Sequence, residues 1–220
     1  MTLVKVCGLT RDGDVRTAVR LGASACGFVL CPSARQVSPE RACWLAGEAR
    51  DALAVGVVAT ESPEWIAEAA DLAGLGAVQL AAGRDGPTVA AVRTATAQLE
   101  RPPLIIAAAD TLDAEDADVI LLDGRLPGQY GGTGVALDWP ALAAEDALPH
   151  DRMMLAGGLT PENVGAAIAA LHPLIVDVSS GVETAPGIKD QGLVRRFFAA
   201  VVEADEGLPH PRQASQGQRR

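Results

Sequence analysis

Short apolar runs recur along the chain at Leu3–Cys7, Ala25–Leu30, Ala54–Ala59, Ala77–Leu80, Leu104–Ala108, Val119–Asp123, Met153–Ala156 and Ile175–Val178. Each is brief and almost continuously apolar, the pattern of parallel strands covered on both faces rather than of strands with one wet side. The stretches between them carry helix signals. Ser62-Pro63 and Thr160-Pro161 each set an N-cap residue before a proline at the first helical position. Val164, Ala167, Ile168 and Leu171 repeat at helical spacing, as do Leu193, Val194, Phe197, Phe198 and Val201. Eight strand–helix alternations in about 200 residues predict an α/β fold, a single (β/α)8 TIM barrel. A doubly wound open sheet is the alternative. It usually has fewer strands at this length, and no G-x-G-x-x-G follows the first strand.

The periodicity stops near Glu203, so residues 1–203 are expected to form the barrel and 204–220 a disordered, polar C-terminal tail. Gly128–Gly134 is glycine-rich but lies inside the domain, which marks it as a functional loop.

Composition narrows the function. Hydrophobic residues make up 49% and aromatics only 3%, so Ala, Val, Leu and Ile must build the core. A formal net charge of −10 argues against nucleic acid or an anionic membrane as a partner, since either calls for a basic surface. A small phosphate ligand stays possible, because backbone amides can hold it locally. Cys7, Cys26, Cys31 and Cys43 form no CxxC pair and read mainly as small buried apolar residues. With no signal-peptide pattern at Met1–Lys5 and no apolar run of the ~18 residues needed for a transmembrane helix, a reduced, cytoplasmic location is expected.

A barrel carries its chemistry where strands end and helices begin. Those positions hold Cys7-Gly8, Cys31–Arg35, Gln79, Asp123, Gly157-Gly158 and Asp177–Gly181. A phosphate needs several N–H donors converging on one point. Glycine clears the approach, and a following helix N-terminus adds a favourable dipole. Gly157 and Gly158, with Ser179, Ser180 and Gly181, close the seventh and eighth strands, where barrels usually hold phosphate. They are turn residues on any reading, but two such loops in register point to a phosphate site.

Strand alternation puts Lys5 and Cys7 on one side of the first strand. If that side faces the barrel axis, the Lys5 cation favours the Cys7 thiolate, the form that acts as a base. Cys7 is otherwise a small buried apolar residue. Asp123 ends an apolar strand, where an uncompensated carboxylate is costly. A partly desolvated carboxyl there suits a general acid; the alternative is a helix-capping or loop-anchoring role. Arg35 and Arg125 could clamp a substrate carboxylate with two bonds, or be solvated surface residues. His150, His172 and His210 share no metal-ligand spacing, and no metal site is expected.

These segments together resemble the phosphoribosylanthranilate isomerase family of tryptophan biosynthesis over roughly residues 3–198. The likeness rests on Lys5–Thr10, Gly27-Phe28-Val29, Ser33-Ala34-Arg35 with Val37–Glu40, and Val78-Gln79-Leu80. It continues through Asp123, Gly131–Gly134, Leu137-Asp138-Trp139, Leu155–Leu159, Pro161–Val164, Val176–Glu183, Pro186-Gly187 and Lys189-Asp190. The resemblance implies an Amadori rearrangement of an N-linked ribosyl phosphate of anthranilate. Asp123 would protonate the furanose oxygen and Cys7 would remove the C2 proton. It also implies Arg35 near the anthranilate carboxylate, the two late loops on phosphate, and Asp177 on a sugar hydroxyl. Lys5 and Gln79 join these as substrate-binding candidates. No cofactor is implied, and the chain would act as a monomer or homodimer.

The family usually has Gln-Leu-His-Gly after strand four, where this chain has Gln79-Leu80-Ala81-Ala82. Its common Ser-Pro-Arg is Ser33-Ala34-Arg35, and a frequent serine is Ala156. A paralogue acting on a related N-ribosyl phosphate and a catalytically silent phosphate-binding barrel are the competing readings. The histidine-pathway sugar isomerases carry an aspartate where Cys7 stands.

Overall fold

Every predicted apolar run becomes a parallel strand in the computed structural model, which describes residues 1–123, 139–143 and 148–208. The strands are β1 (Leu3–Val6), β2 (Ala25–Val29), β3 (Leu53–Val58), β4 (Ala77–Leu80), β5 (Leu104–Ala108), β6 (Val119–Asp123), β7 (Met153–Ala156) and β8 (Ile175–Val178). They pair in chain order, and β8 returns to β1 to close a barrel, with Lys5 opposite Asp177. Around them lie α1 (Asp12–Arg20), α2 (Pro39–Glu48), α3 (Pro63–Ala73), α4 (Val89–Thr96), α5 (Trp139–Ala143), α6 (Val164–Leu171) and α7 (Gln191–Gly207). A small hairpin, β9 (Glu183–Ala185) and β10 (Ile188–Lys189), sits between β8 and α7.

Strand alternation sorts the core into an outer and an inner part. Outward residues such as Val6, Phe28, Leu80, Ile105 and Val178 pack against Leu45, Ile66, Val92, Ile168 and Phe197 of the helices. Each such side chain contributes about 1.5–3 kcal/mol by burial. Inward residues Ala25, Val55, Ala77, Ile106, Leu121 and Met154 fill the barrel's middle. Gly27 also points inward. A Cβ there would lie 2.8 Å from Cys7 Sγ and 3.2 Å from Lys5 Cε, so glycine makes room for both side chains.

The structure departs from the sequence pattern at three places. The β5–β6 connection holds only a 3-10 turn, Ala114–Asp116, so one of the eight expected helices is absent among the described residues. That connection is short and acidic, and its Asp113 instead accepts from the N–H groups of Val89 and Ala90 at the start of α4. Ser62 caps α3 as expected, accepting from Trp65 N. Thr160 also makes a cap bond, its Oγ1 accepting from Glu162 N at 3.2 Å, but Thr160-Pro161 opens a turn and α6 starts only at Val164. There the Asn163 side chain accepts from Thr160 N, satisfying that donor without a helical turn. The boundary expected at 203 also moves. α7 continues to Gly207, and Asp205 accepts from both Thr2 N and Thr2 Oγ1 at 2.7 Å. These bonds tie the last helix to the start of the chain; the tail from residue 209 onward lies outside the described residues. No helix among the described residues is long and apolar enough to cross a membrane.

Candidate functional site

At the C-terminal ends of the strands a cavity of about 380 Å³ opens between β1, β2, β3, β4, β6, β7 and β8. Beneath its floor Lys5 is wholly buried and donates to Asp177 Oδ2 at 2.8 Å. Burial works against the Lys5 charge, but Asp177 and the neighbouring Cys7 outweigh it and raise its pKa. Burial pushes the Asp177 carboxyl up, against the pull of Lys5. Lys5 itself is not among the residues lining the cavity; it sits against Asp177 and Cys7, which are.

Cys7, one residue beyond β1, carries its thiol into the cavity. Burial raises its pKa, opposed first by Lys5. The expected influence of Lys5 is present with the expected sign, but desolvation exceeds it, so burial favours the neutral thiol. Cys31 shares an apolar wall with Val29 and Val57, flanked by Ala59 and Ala81. Of the remaining cysteines, Cys26 is buried against the helices, while Cys43 is exposed rather than a core residue.

Asp123 ends β6 half-buried and lines the cavity, near enough to Asp177 to raise that carboxyl's pKa. Asp177 Oδ1 and Gln79 Oε1 are buried without hydrogen-bond partners among the described residues. Both residues line the cavity, and such atoms are costly unless a ligand or water meets them.

The late loops form another side. Gly157 and Gly158 have φ of 88° and 66°, left-handed values that favour glycine. Asn163 holds this turn by donating from Nδ2 to Gly158 O at 2.9 Å. A Cβ on Gly181 would run into the Leu159 carbonyl, so only glycine lets the two loops lie together. Ser179 Oγ donates to Cys7 O at 3.1 Å, joining the β8 loop to the first strand's end.

Arg35 lines the cavity mouth, but part of its fork is already engaged. Its Nε donates to Glu183 Oε1 and Oε2 at 3.0 and 3.1 Å, and its Nη2 donates to Oε2 at 2.7 Å. Buried Lys189 donates to the same carboxylate at 2.7 Å and to Ser179 O at 3.1 Å. Burial opposes the Glu183 charge, yet the two cations outweigh it and hold its pKa low; burial pulls Lys189 down.

Sequence reasoning assigned no role to Glu183 or Lys189. One signal was available: the chain has only two lysines, Lys5 and Lys189, beside sixteen arginines. Both lysines are buried next to this cavity. A compact ammonium with three rotatable donors suits such buried positions.

Cys7, Arg35, Gln79, Asp123, Gly157, Gly158, Asp177, Ser179, Ser180 and Gly181 thus converge on one cavity. Arg125, the Gly128–Gly134 loop and His210 lie outside the described residues. His150 meets Leu171 O at 2.8 Å and His172 ends α6 in a left-handed conformation, so neither serves the cavity. Among the described residues no group of three His, Cys, Asp or Glu side chains gathers as a metal would require.

Residues 4–200 match the family model of N-(5'-phosphoribosyl)anthranilate (PRA) isomerase. The N-(5'-phosphoribosyl)anthranilate isomerase of Acetivibrio thermocellus is 38% identical over 218 residues, covering 94% of this chain and 99% of that protein. The crystal structure of phosphoribosyl anthranilate isomerase from Thermotoga maritima superposes with a TM-score of 0.76 at 37% identity, covering 94% of this chain and all (100%) of that one. A crystal structure of such an isomerase in complex with reduced 1-(o-carboxyphenylamino)-1-deoxyribulose 5-phosphate matches with a TM-score of 0.74 at 34% identity, over 92% of this chain and 100% of that one.

Proposed function

Because the chain belongs to the N-(5'-phosphoribosyl)anthranilate isomerase family, we propose that it rearranges N-(5-phosphoribosyl)anthranilate to 1-(2-carboxyphenylamino)-1-deoxyribulose 5-phosphate in tryptophan biosynthesis. The observation that carries this reading is one cavity lined by Asp123, Cys7, the loops of Gly157-Gly158 and Ser179-Ser180-Gly181, and Arg35.

Asp123 gives a proton to the furanose ring oxygen, and the C1–O bond opens to a Schiff base. Cys7, as thiolate, removes the proton from C2, and the electron pair moves to the iminium nitrogen to give an enolamine. Tautomerisation then yields the ketone. C1 is reduced and C2 oxidised within one molecule, so protons are the only species exchanged. Burial makes the Cys7 thiolate a strong base but a scarce one; the nearby Lys5 limits that scarcity.

The phosphate is assigned to the loops of Gly157-Gly158 and Ser179-Ser180-Gly181, whose backbone N–H groups suit an anion. Gln79 and Asp177 present their unpartnered oxygens to sugar hydroxyls. The wall of Val29, Cys31, Val57, Ala59 and Ala81 suits the aromatic ring, and Arg35 takes its carboxylate.

Loss of phosphoribosylanthranilate fluorescence tests the activity directly. Turnover above the spontaneous rate is expected, with Cys7→Ser and Asp123→Asn each at least about a hundredfold slower. No turnover in the unaltered protein would sink the assignment, and near-normal variants would remove the roles given to these two residues.

A further inference from the structure

Neither Glu183 nor Lys189 lines the cavity, yet they bury opposite charges beside Arg35, which does. Their side chains are 4% and 1% exposed, which is costly unless each is fully paired. Glu183 is: it accepts from Arg35 Nε and Nη2, from Lys189 Nζ and from Gly187 N at 3.2 Å. The hairpin that carries these residues is itself anchored. Thr10 Oγ1 donates to Gly187 O at 2.6 Å, Lys189 N donates to buried Asp14 at 3.1 Å, and Arg11 Nη2 donates to Lys189 O at 3.3 Å.

Arginine has five N–H donors in a planar fork. Glu183 occupies the side-on pair, one on Nε and one on Nη2. The end-on pair, on Nη1 and the other position of Nη2, meets no described residue and matches the spacing of a second carboxylate. A free arginine side chain would pass through many rotamers, and fixing it on binding would cost entropy.

We propose that Glu183, neutralised by Lys189, is a positioning residue that holds Arg35 side-on so that its end-on fork reads the substrate carboxylate. Lys189 also grips Ser179 O, so the same ammonium ties the carboxylate-reading end of the site to the phosphate loop. The inference rests on the assignment of Arg35 to the carboxylate in the preceding section.

Two stable ligands separate the possibilities: reduced 1-(o-carboxyphenylamino)-1-deoxyribulose 5-phosphate and its counterpart lacking the carboxyl group. Binding of each to the full chain is measured by calorimetry for the unaltered protein, Arg35→Ala and Glu183→Gln. A double variant, Glu183→Gln with Lys189→Met, removes both buried charges and covers the case in which the single change, leaving Lys189 unpaired, fails to fold. The expected result is an affinity loss of about tenfold or more for the carboxylated ligand. The carboxyl-free ligand should stay within about twofold, and Arg35→Ala combined with Glu183→Gln should be no worse than Arg35→Ala alone. A merely structural role would weaken both ligands equally. That result, or no loss on either, overturns the positioning role. If Arg35→Ala fails to discriminate between the ligands, the carboxylate assignment falls and the positioning role with it. If Arg35→Ala discriminates and both Glu183 variants do not, the positioning role alone falls.

Discussion

Replacing Lys5 by Met removes one half of an ion pair that closes the barrel between β1 and β8. Methionine roughly keeps the length and apolar stem of the lysine, so the loss is chiefly the charge. The partner, Asp177, is 8% exposed, and its Oδ1 already lacks a hydrogen bond among the described residues. Breaking a buried pair from one side typically costs about 3–5 kcal/mol, a large share of the ~5–15 kcal/mol that holds a domain together. The sign of the pH dependence follows from Asp177. With Lys5 gone, burial raises its folded pKa unopposed by the strongest counter-charge, while the unfolded value stays near about 3.9. Between those two values the folded state keeps a proton that the unfolded state has lost, so stability falls as pH rises, by about 1.4 kcal/mol per unit. The deficit against the unaltered protein should therefore be small in acid, grow with rising pH once Asp177 of the unaltered protein has ionised, and level off where Asp177 of the variant ionises in turn. Urea titration followed by tryptophan fluorescence at a series of pH values measures it. A pH-independent loss below about 1 kcal/mol would refute the idea that Lys5 is there to carry a buried carboxylate.

Two further outcomes check the site. Alkylation of Cys7 by iodoacetamide, followed at that residue by mass spectrometry, should rise with pH through an inflection above the ordinary thiol value of about 8.5, and Lys5→Met should move it higher still. An inflection below the ordinary value would mean that burial does not dominate. Gly181→Ala places a methyl against the Leu159 carbonyl, so about 1–3 kcal/mol of overpacking should part the two loops. KM for the phosphorylated substrate should rise several-fold with a lower melting temperature, and an unchanged KM would remove those loops from phosphate binding.

The barrel was legible because each strand is covered on both faces, leaving uninterrupted apolar runs such as Ala54–Ala59 and Met153–Ala156. The strand ends were legible for the complementary reason: Asp123, Gln79 and Asp177 are polar residues in segments that otherwise exclude them. The Glu183–Lys189 hairpin was not, since its meaning lies in a bond to Arg35, distant by 148 positions, which no local spacing records. Only half of the setting of Cys7 was legible, because sequence reveals which charge stands beside it but not how completely water is removed. The start of α6 was placed early because Thr160-Pro161 carries the residues of a cap, and only the fold shows Asn163 spending its side chain on the glycine turn.

The Lys5–Asp177 bridge spans 172 positions of chain, and this has a consequence for synthesis on the ribosome. At roughly 5–20 residues per second, the lysine waits on the order of ten to thirty seconds before its counter-charge exists. Throughout that interval, burying the inward face of the first strand means either stranding an ammonium or stripping its proton, each at a cost. The N-terminal strands are thereby kept from settling early into a closed, sealed arrangement. The barrel can shut only once β8 has emerged, and the step that shuts it also sets Asp177 beside Cys7.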